Sequence, residues 1–284
     1  MKPHSHKLAP ARDVAIVVPC FNEARRLKVS AFSAFLNTHP NITLTLIDDG
    51  STDDTPLILE CLRQQHPAQI CTLRLEANVG KAEAVRLGVL AALRRGPQFV
   101  GYWDADLATP LAAIASFVDI LLAQPNLQLV MGSRVSLLGR KIRRPIRRHI
   151  MGRAFATAAS LVLNLPVYDT QCGAKLFRAT AQTAELFAQP FRTRWIFDVE
   201  LLARIKSRTT NAESALPADD SIYEFPLEQW EDVAGSRLKS HDIVTAALDL
   251  LRVYWQYMRH NDLPDRHASW PATSPAITPL RKAA

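Results

Sequence analysis

Cysteine is scarce and unpatterned: four residues, Cys20, Cys61, Cys71 and Cys172, show no CxxC or other metal-ligand spacing. That excludes a zinc ribbon and a disulfide framework, and the sequence predicts reduced thiols in a cytosolic protein. Cys20 and Cys71 lie at or beside strand-like runs, where a thiol packs as a small apolar group. Long apolar runs are also lacking. None approaches the roughly 20 residues needed to cross a bilayer. The opening stretch, MKPHSHKLAPARD, has no apolar signal core. The expectation is a soluble or peripheral protein. No GxGxxG follows the first strand-like run and no GxxxxGK[ST] occurs. An ordinary dinucleotide enzyme and a P-loop NTPase are therefore disfavoured. There is no zinc-finger or RNA-binding motif and no internal repeat.

Acidic residues are missing from one segment in particular. The net charge is +7, with a pI near 9.4, which suits an anionic partner. Arg140, Lys141, Arg143, Arg144, Arg147, Arg148 and Arg153 fall together with no carboxylate among them. A nucleic-acid binder would spread its charge more widely, so no nucleic-acid partner is expected.

What is present is a repeated alternation. The 284 residues, 48% hydrophobic, suffice for one large domain or two small ones. After a polar start at 1–12, expected to be disordered, DVAIVV (13–18) is a doubly buried strand that Pro19 should stop. ITLTLI (42–47) ends in Asp48-Asp49-Gly50-Ser51-Thr52-Asp53, where Gly50 permits a turn and Ser51 or Thr52 can cap a helix. A third strand spans about 70–75, a fourth is the stretch 99–107 and a fifth spans 127–131, with helical patterns between them. The pattern predicts an α/β fold: an open mixed sheet, mainly parallel, with helices on both faces. Ligands of such sheets bind beyond the carboxyl ends of the strands. Asn22, Glu23, Asp48, Asp49, Asn78, Lys81, Asp104, Asp106 and Arg134 should therefore converge on one crevice. One domain is predicted over 13–260, in two halves at 13–133 and 134–260. Residues 206–219 read as a surface loop, and 261–284, rich in proline and polar residues, as a disordered tail.

The centre of this pattern is FVGYWDADL (99–107), an apolar strand ending in two carboxylates. Side chains alternate along an extended backbone, so Asp104 and Asp106 are expected to point the same way. Their mutual repulsion would be relieved by Mg2+ or Mn2+, which completes its shell with water and phosphate oxygens. A dehalogenase-type phosphatase requires DxDx[TV], but here Ala108 occupies the last place and Thr109 comes one residue late.

Together, VVPCFNEARRL, LIDDGSTDDT, NVGKAEAVRLG and DADLATP resemble the nucleotide-sugar half of the family 2 glycosyltransferases in order and spacing. YDTQCGAKLFRA (168–179), RWIFDVELLAR (194–204) and WEDVAGSRLK (230–239) are similar to the dolichyl-phosphate β-glucosyltransferase branch, close to the dolichyl-phosphate mannose synthases. The resemblance covers about 13–245. It implies a GT-A (Rossmann-like) fold and metal-dependent inverting transfer of a hexose from a nucleoside diphosphate sugar to a polyprenyl or dolichyl phosphate. It implies that Pro19, Asn22 and Glu23 line the nucleotide pocket. Asp49 would meet the base with Asp48 supporting its loop, and Gly80 and Lys81 would lie along base or ribose. Asp104 would contact ribose or metal, Asp106 would hold the metal, and Arg134 would face the donor diphosphate or the acceptor phosphate. Gln171, Trp195 and Asp198 would border sugar and acceptor. Asp198 is either a base for a hydroxyl acceptor or an orienting acid at a helix N-terminus. Mannose synthases usually carry glutamine where this chain has Ala108, which favours glucose and UDP-glucose over GDP-mannose. Eukaryotic members of the branch carry an N-terminal anchor that is not seen here. A soluble acceptor and a non-catalytic nucleotide-sugar-binding regulator are the alternative readings.

The basic segment 139–153 leads into an apolar helical stretch ending at Leu163. Such a pair suits an anionic membrane surface, with Arg147 as an acceptor contact and the enzyme at the cytoplasmic face of a membrane. Residues 241–257 read as a second amphipathic helix that packs on the domain, pairs two subunits as a homodimer, or lies on lipid.

Overall fold

Each apolar run of the first half becomes a parallel strand, and each amphipathic run the helix that carries the chain back to start the next. The computed structural model describes residues 14–143, 146–211, 218–232, 240–259 and 277–279. Strands β1 (Val14–Cys20), β2 (Ile42–Asp48), β3 (Ile70–Leu75) and β4 (Phe99–Trp103) alternate with helices α1 (Val29–Thr38), α2 (Thr55–Gln65) and α3 (Lys81–Leu93). After α4 (Ala113–Ala123) come β5 (Leu129–Ser133), β6 (Lys141–Arg143), α5 (Ile146–Leu163), β7 (Ala174–Arg178), α6 (Ala181–Leu186) and α7 (Phe197–Asn211). The described chain continues through α8 (Ala218–Ser221), β8 (Ile222–Pro226), β9 (Gln229–Glu231), α9 (Ser240–Val253), a π turn at Tyr254–Met258, and β10 (Ile277–Pro279).

The main sheet has the order β10-β3-β2-β1-β4-β7-β5-β8. The ladders β3-β2-β1-β4 and β5-β8 are parallel, whereas β7 runs antiparallel to both β4 and β5. This is the expected open mixed sheet. The period-2 pattern of β1 divides the core: Ala15 and Val17 join α3, α5, α7 and α9 on one face, while Val14, Ile16 and Val18 join α1, α2 and α4 on the other. Full burial of each such aliphatic side chain contributes roughly 1.5–3 kcal/mol. Among the described residues no helix is long and apolar enough to cross a membrane.

Several local expectations are corrected. Pro19 does not stop β1; it pairs in register with Ile47 of β2. Pairing with β4 ends at Val17, so β1 has an open edge there and a missing N–H breaks no ladder. Neither Ser51 nor Thr52 caps α2; Asp53 accepts from the Thr55 N–H at 3.0 Å, and Ser51 Oγ accepts from the Asn22 N–H at 3.0 Å. The basic segment is not a separate prelude to a short helix. Its latter part forms the first turns of α5, which runs unbroken from Ile146 to Leu163, while Lys141–Arg143 pairs with β9. Residues 206–211 extend α7 rather than forming a loop, and 218–221 form α8. The predicted 241–257 helix is α9 followed by the π turn. In the tail expected to be disordered, Ile277–Pro279 pairs antiparallel with Leu73–Leu75. Residues 1–13 lie outside the described residues.

Candidate active site

The chain moves from β1 to β2 to β3 on one side, then returns to place β4 on the other side of β1. The carboxyl ends of β1 and β4 therefore flank the switch point where such sheets bind ligands. After β1, Asn22 takes a left-handed φ of 52°. Its Oδ1 accepts from the Thr52 N–H at 2.9 Å and binds the β1 loop to the β2 loop. Glu23 is buried beside it. Its N–H donates to Thr55 Oγ1 at 2.8 Å, one carboxylate oxygen accepts from Arg26, and the other has no partner among the described residues. Burial raises the Glu23 pKa; Arg26 works against the shift, and Asp106 and Asp104 add to it.

Asp48 ends β2 fully buried, accepting from the Ser51 N–H at 3.0 Å and meeting Arg74 at 3.2 Å. Asp49 holds the next loop together: its carboxylate accepts from the Val79 N–H at 2.8 Å, the Gly80 N–H at 2.9 Å and Asn78 Nδ2 at 3.0 Å. Burial raises its pKa against these donors. Gly80, at φ 96°, passes under Arg194, where a Cβ would come within 2.7 Å of Nε.

The Asp-x-Asp pair does not lie on extended backbone. β4 ends at Trp103, and the pair sits in a tight turn with Leu107 at φ 54°. Trp103 is fully buried and its Nε1 donates to the Thr109 carbonyl at 2.8 Å, closing the loop from behind. The Ala108 N–H donates to Asp106 Oδ1 at 3.0 Å. Asp104 meets Lys81 at 2.5 Å and packs on Gly173, where a Cβ would fall 1.9 Å from Oδ2. Burial, then the charge of Asp104, raises the Asp106 pKa. The two partly buried carboxylates, Asp104 and Asp106, offer the oxygen ligands that a divalent cation takes. No cluster of three or more His, Cys, Asp or Glu side chains forms a metal site by itself among the described residues.

A cavity of about 690 Å³ opens from this turn. Of the expected site residues, Lys81, Asp104, Asp106, Arg134, Gln171, Trp195 and Asp198 line it. Pro19, Asn22, Glu23, Asp48, Asp49 and Gly80 are not on its wall; they build the loops beside it. The side chain of Arg147 lies outside the described residues. Arg134 follows β5 and is clamped by Asp169, Nε to Oδ2 at 2.6 Å and Nη2 to Oδ1 at 2.7 Å, which holds the Asp169 pKa below its usual value despite burial. Asp198 opens α7, as a helix N-terminal acid would, but it is also one pole of a buried network. Its Oδ1 accepts from Tyr102 Oη and from Lys175 Nζ, both at 2.5 Å. Lys175 is fully buried and also donates to the carbonyls of Thr170 and Cys172, fixing the loop that carries Gln171. The Gln171 amide nitrogen has no partner among the described residues.

The profile described as Glycosyl transferase family 2 matches residues 15–182. The chain belongs to glycosyl transferase family 2. This glycosyltransferase is 30% identical over 261 residues to a dolichyl-phosphate beta-glucosyltransferase of Dictyostelium discoideum, covering 86% of this chain and 75% of that one. It is 29% identical over 277 residues to one of Trichomonas vaginalis, covering 93% and 75%. The crystal structure of Mycobacterium tuberculosis glucosyl-3-phosphoglycerate synthase with Mn2+ and UDP-glucose superposes with a TM-score of 0.60 at 19% identity, covering 89% of this chain and 80% of that one. The shared fold is GT-A. In the family 2 chain, sequence reasoning missed Arg153, Tyr168, Asp169, Lys175, Arg194 and Trp230, all on the cavity or tied to it. One signal was readable: Lys175 sits inside the apolar run AKLF, where a lysine must find a buried partner.

Proposed function

We propose that this glycosyltransferase moves glucose from UDP-glucose to a polyprenyl phosphate, with GDP-mannose as the second-ranked donor. The observation that carries the reading is one cavity lined both by Asp104, Asp106 and Asp198 and by apolar side chains of the helices α5 and α9. The names of the relatives at about 30% identity support the acceptor class. The small Ala108 beside the Asp-x-Asp turn supports glucose.

In this reading Asp106 and Asp104 hold Mg2+ or Mn2+, as the Mn2+-bound neighbour suggests. The cation would stabilise the negative charge that develops on the departing diphosphate. Pro19, Asn22, Glu23, Asp48, Asp49, Gly80 and Lys81 shape the nucleotide side. Arg134, neutralised by Asp169 and 5.3 Å from the Trp230 ring centroid, serves as a rigid wall beside the phosphates. Gln171 offers its unpartnered amide to a sugar hydroxyl, and Trp195, 46% exposed, offers a flat face to the sugar. Arg147 belongs to the acceptor side.

A phosphate oxygen of the acceptor attacks the anomeric carbon while the bond from that carbon to the nucleotide oxygen breaks. The electron pair leaves with the nucleoside diphosphate, and the configuration inverts. A phosphate monoester has its second pKa near 6, so the attacking dianion needs no base. Asp198, held by Tyr102 and Lys175, then orients the reaction chamber and takes no proton. The basic start of α5 holds the enzyme on an anionic membrane at its cytoplasmic face.

The test incubates the full chain with UDP-glucose labelled in the sugar, Mn2+ and polyprenyl phosphate. Label that moves into organic solvent in a Mn2+-dependent way supports the reading. Transfer only from GDP-mannose changes the sugar, and a labelled product left in water changes the acceptor to a soluble one. Absence of any transfer, with nucleotide binding intact, favours a non-catalytic regulator.

A further inference from the structure

The cavity has two kinds of lining. One is polar and includes the carboxylates of Asp104 and Asp106; the other is apolar, from Met151, Phe155 and Ala158 of α5 and Ala246, Ala247 and Leu250 of α9. Two helices that only packed on each other would interdigitate large side chains. Here alanines, with Gly152, leave a gap between apolar walls. On the same two helices and the π turn that follows α9, large apolar side chains face outward: Ile150 62%, Leu251 55%, Tyr254 42% and Trp255 51% exposed. An apolar edge of this kind marks a binding surface.

The cations of the cavity are not equivalent. Lys81 is on Asp104 and Arg134 is on Asp169. Arg194 donates to Asn78 Oδ1 at 2.9 Å and faces the nucleotide side. Arg153, on α5 between the apolar Met151 and Phe155, has no carboxylate partner among the described residues. Its guanidinium lies 3.6 Å from the Tyr168 ring centroid, and Nη1 donates to the Tyr168 carbonyl at 2.7 Å. The stack fixes the fork and supplies no counter-charge, an arrangement suited to a phosphate.

We propose that Arg153 holds the phosphate of the acceptor and that the first isoprene units of its chain lie between α5 and α9. The occupant is a phosphate monoester of a prenyl chain, drawn in across the exposed edge at Ile150, Leu251 and Trp255. The charge of the headgroup matches Arg153, and its tail matches the walls that continue from it. This rests on the polyprenyl-phosphate reading above and names the residues that would carry it.

The experiment uses farnesyl phosphate, a short probe, with full-length chain, Mn2+ and UDP-glucose for transfer, and Mn2+ and UDP for binding by calorimetry. Two variants address the site: Arg153→Ala, with Arg153→Lys as its rescue, and Ala247→Trp, which fills the gap from an exposed position. Each should raise the KM for farnesyl phosphate about tenfold, the scale of one charge-assisted hydrogen bond or of a blocked apolar contact. Arg153→Lys should recover part of the loss. Mn2+-dependent stabilisation by UDP should be unchanged in all three, which excludes unfolding as the cause. Wild-type transfer with unaltered KM in Arg153→Ala and Ala247→Trp overturns the placement and leaves the acceptor reading standing. No wild-type transfer, but farnesyl phosphate binding that is lost in both variants, keeps the placement and overturns the reaction. Neither transfer nor binding overturns both.

Discussion

Lys81 Nζ lies 2.5 Å from Asp104 Oδ1, so a protein cation sits on one of the two carboxylates that a metal ion would use. Burial opposes the charge on Lys81, but Asp104, Asp198 and Asp106 outweigh it and raise the pKa. The ammonium is the internal counter-ion of an acidic cluster whose members otherwise repel one another. A divalent cation entering at Asp104 competes with it, and the freed ammonium is then available to the donor.

Lys81→Met should therefore separate two affinities. Without nucleotide, Mn2+ should bind about two- to fivefold more tightly, because a half-exposed ion pair of this kind is worth roughly 0.2–1 kcal/mol. With Mn2+ saturating, UDP should bind more weakly, since a positive group near the phosphates is gone. Titration calorimetry of Mn2+ alone, then of UDP, reads both. Equal Mn2+ affinity in wild type and variant would show that the ammonium does not compete.

Asp106→Asn should strengthen the metal-free protein while abolishing metal-dependent donor binding. Burial and Asp104 raise the Asp106 pKa above the carboxylate value of 3.8. The folded state thus carries a penalty that is absent below that value and complete once pH exceeds the raised one. At pH 7 the penalty is fully present, and the amide removes it. The expected melting shift is upward by about 1–4 °C, what roughly 1 kcal/mol produces in a chain of this size. The additional rise that wild type gains from UDP and Mn2+ should vanish in the variant. On acidification wild type should also lose Mn2+ affinity as Asp106, its pKa raised, takes up a proton.

The strands β1 to β4 were legible because each combines an apolar run with a turn signal. That the loops bearing Asn22, Glu23, Asp48, Asp49 and the Asp-x-Asp pair follow neighbouring strands was legible from parallel topology; that of these only the pair lines the cavity was not. The turn that holds Asp104 and Asp106 was not legible. Its shape depends on Trp103 Nε1 reaching the Thr109 carbonyl and on Gly173 arriving in the loop that leads into β7, far along the chain. The same applies to Asp198: its partners Tyr102 and Lys175 lie 96 and 23 residues away, and no local pattern connects them. Arg153 was read only as one more charge in a basic run, because stacking on Tyr168 is a tertiary fact.

Lys175→Met should be among the most damaging single changes. The lysine is fully buried and its partner Asp198 nearly so. Removing one member leaves an unpaired buried carboxylate, which costs about 3–5 kcal/mol. It also releases the Thr170 and Cys172 carbonyls that fix the loop bearing Gln171. Lys175→Met with Asp198→Leu should recover much of the stability and none of the transfer activity. Urea denaturation of the two variants, read against the wild type, measures the difference; a double variant no more stable than the single would remove charge burial as the cause.

Gly173→Ala tests whether the close approach of Asp104 to the β7 loop matters to the metal site. A Cβ at this position would stand 1.9 Å from Asp104 Oδ2 and 2.2 Å from its Cγ. The clash is with a carboxylate at the mouth of a cavity, which can rotate away, not with the core. The fold should survive with a loss of about 1–2 kcal/mol, within the range of single-site changes. Asp104 must give way, and in giving way it leaves both Lys81 and the position opposite Asp106. Mn2+ affinity and UDP stabilisation should fall together, by tenfold or more, while stability in the absence of both falls only by the same ~1–2 kcal/mol. Loss of Mn2+ affinity with UDP binding intact would mean that Asp104 serves the metal alone. Loss of UDP binding with Mn2+ affinity intact would assign Asp104 to the ribose and leave the cation to Asp106.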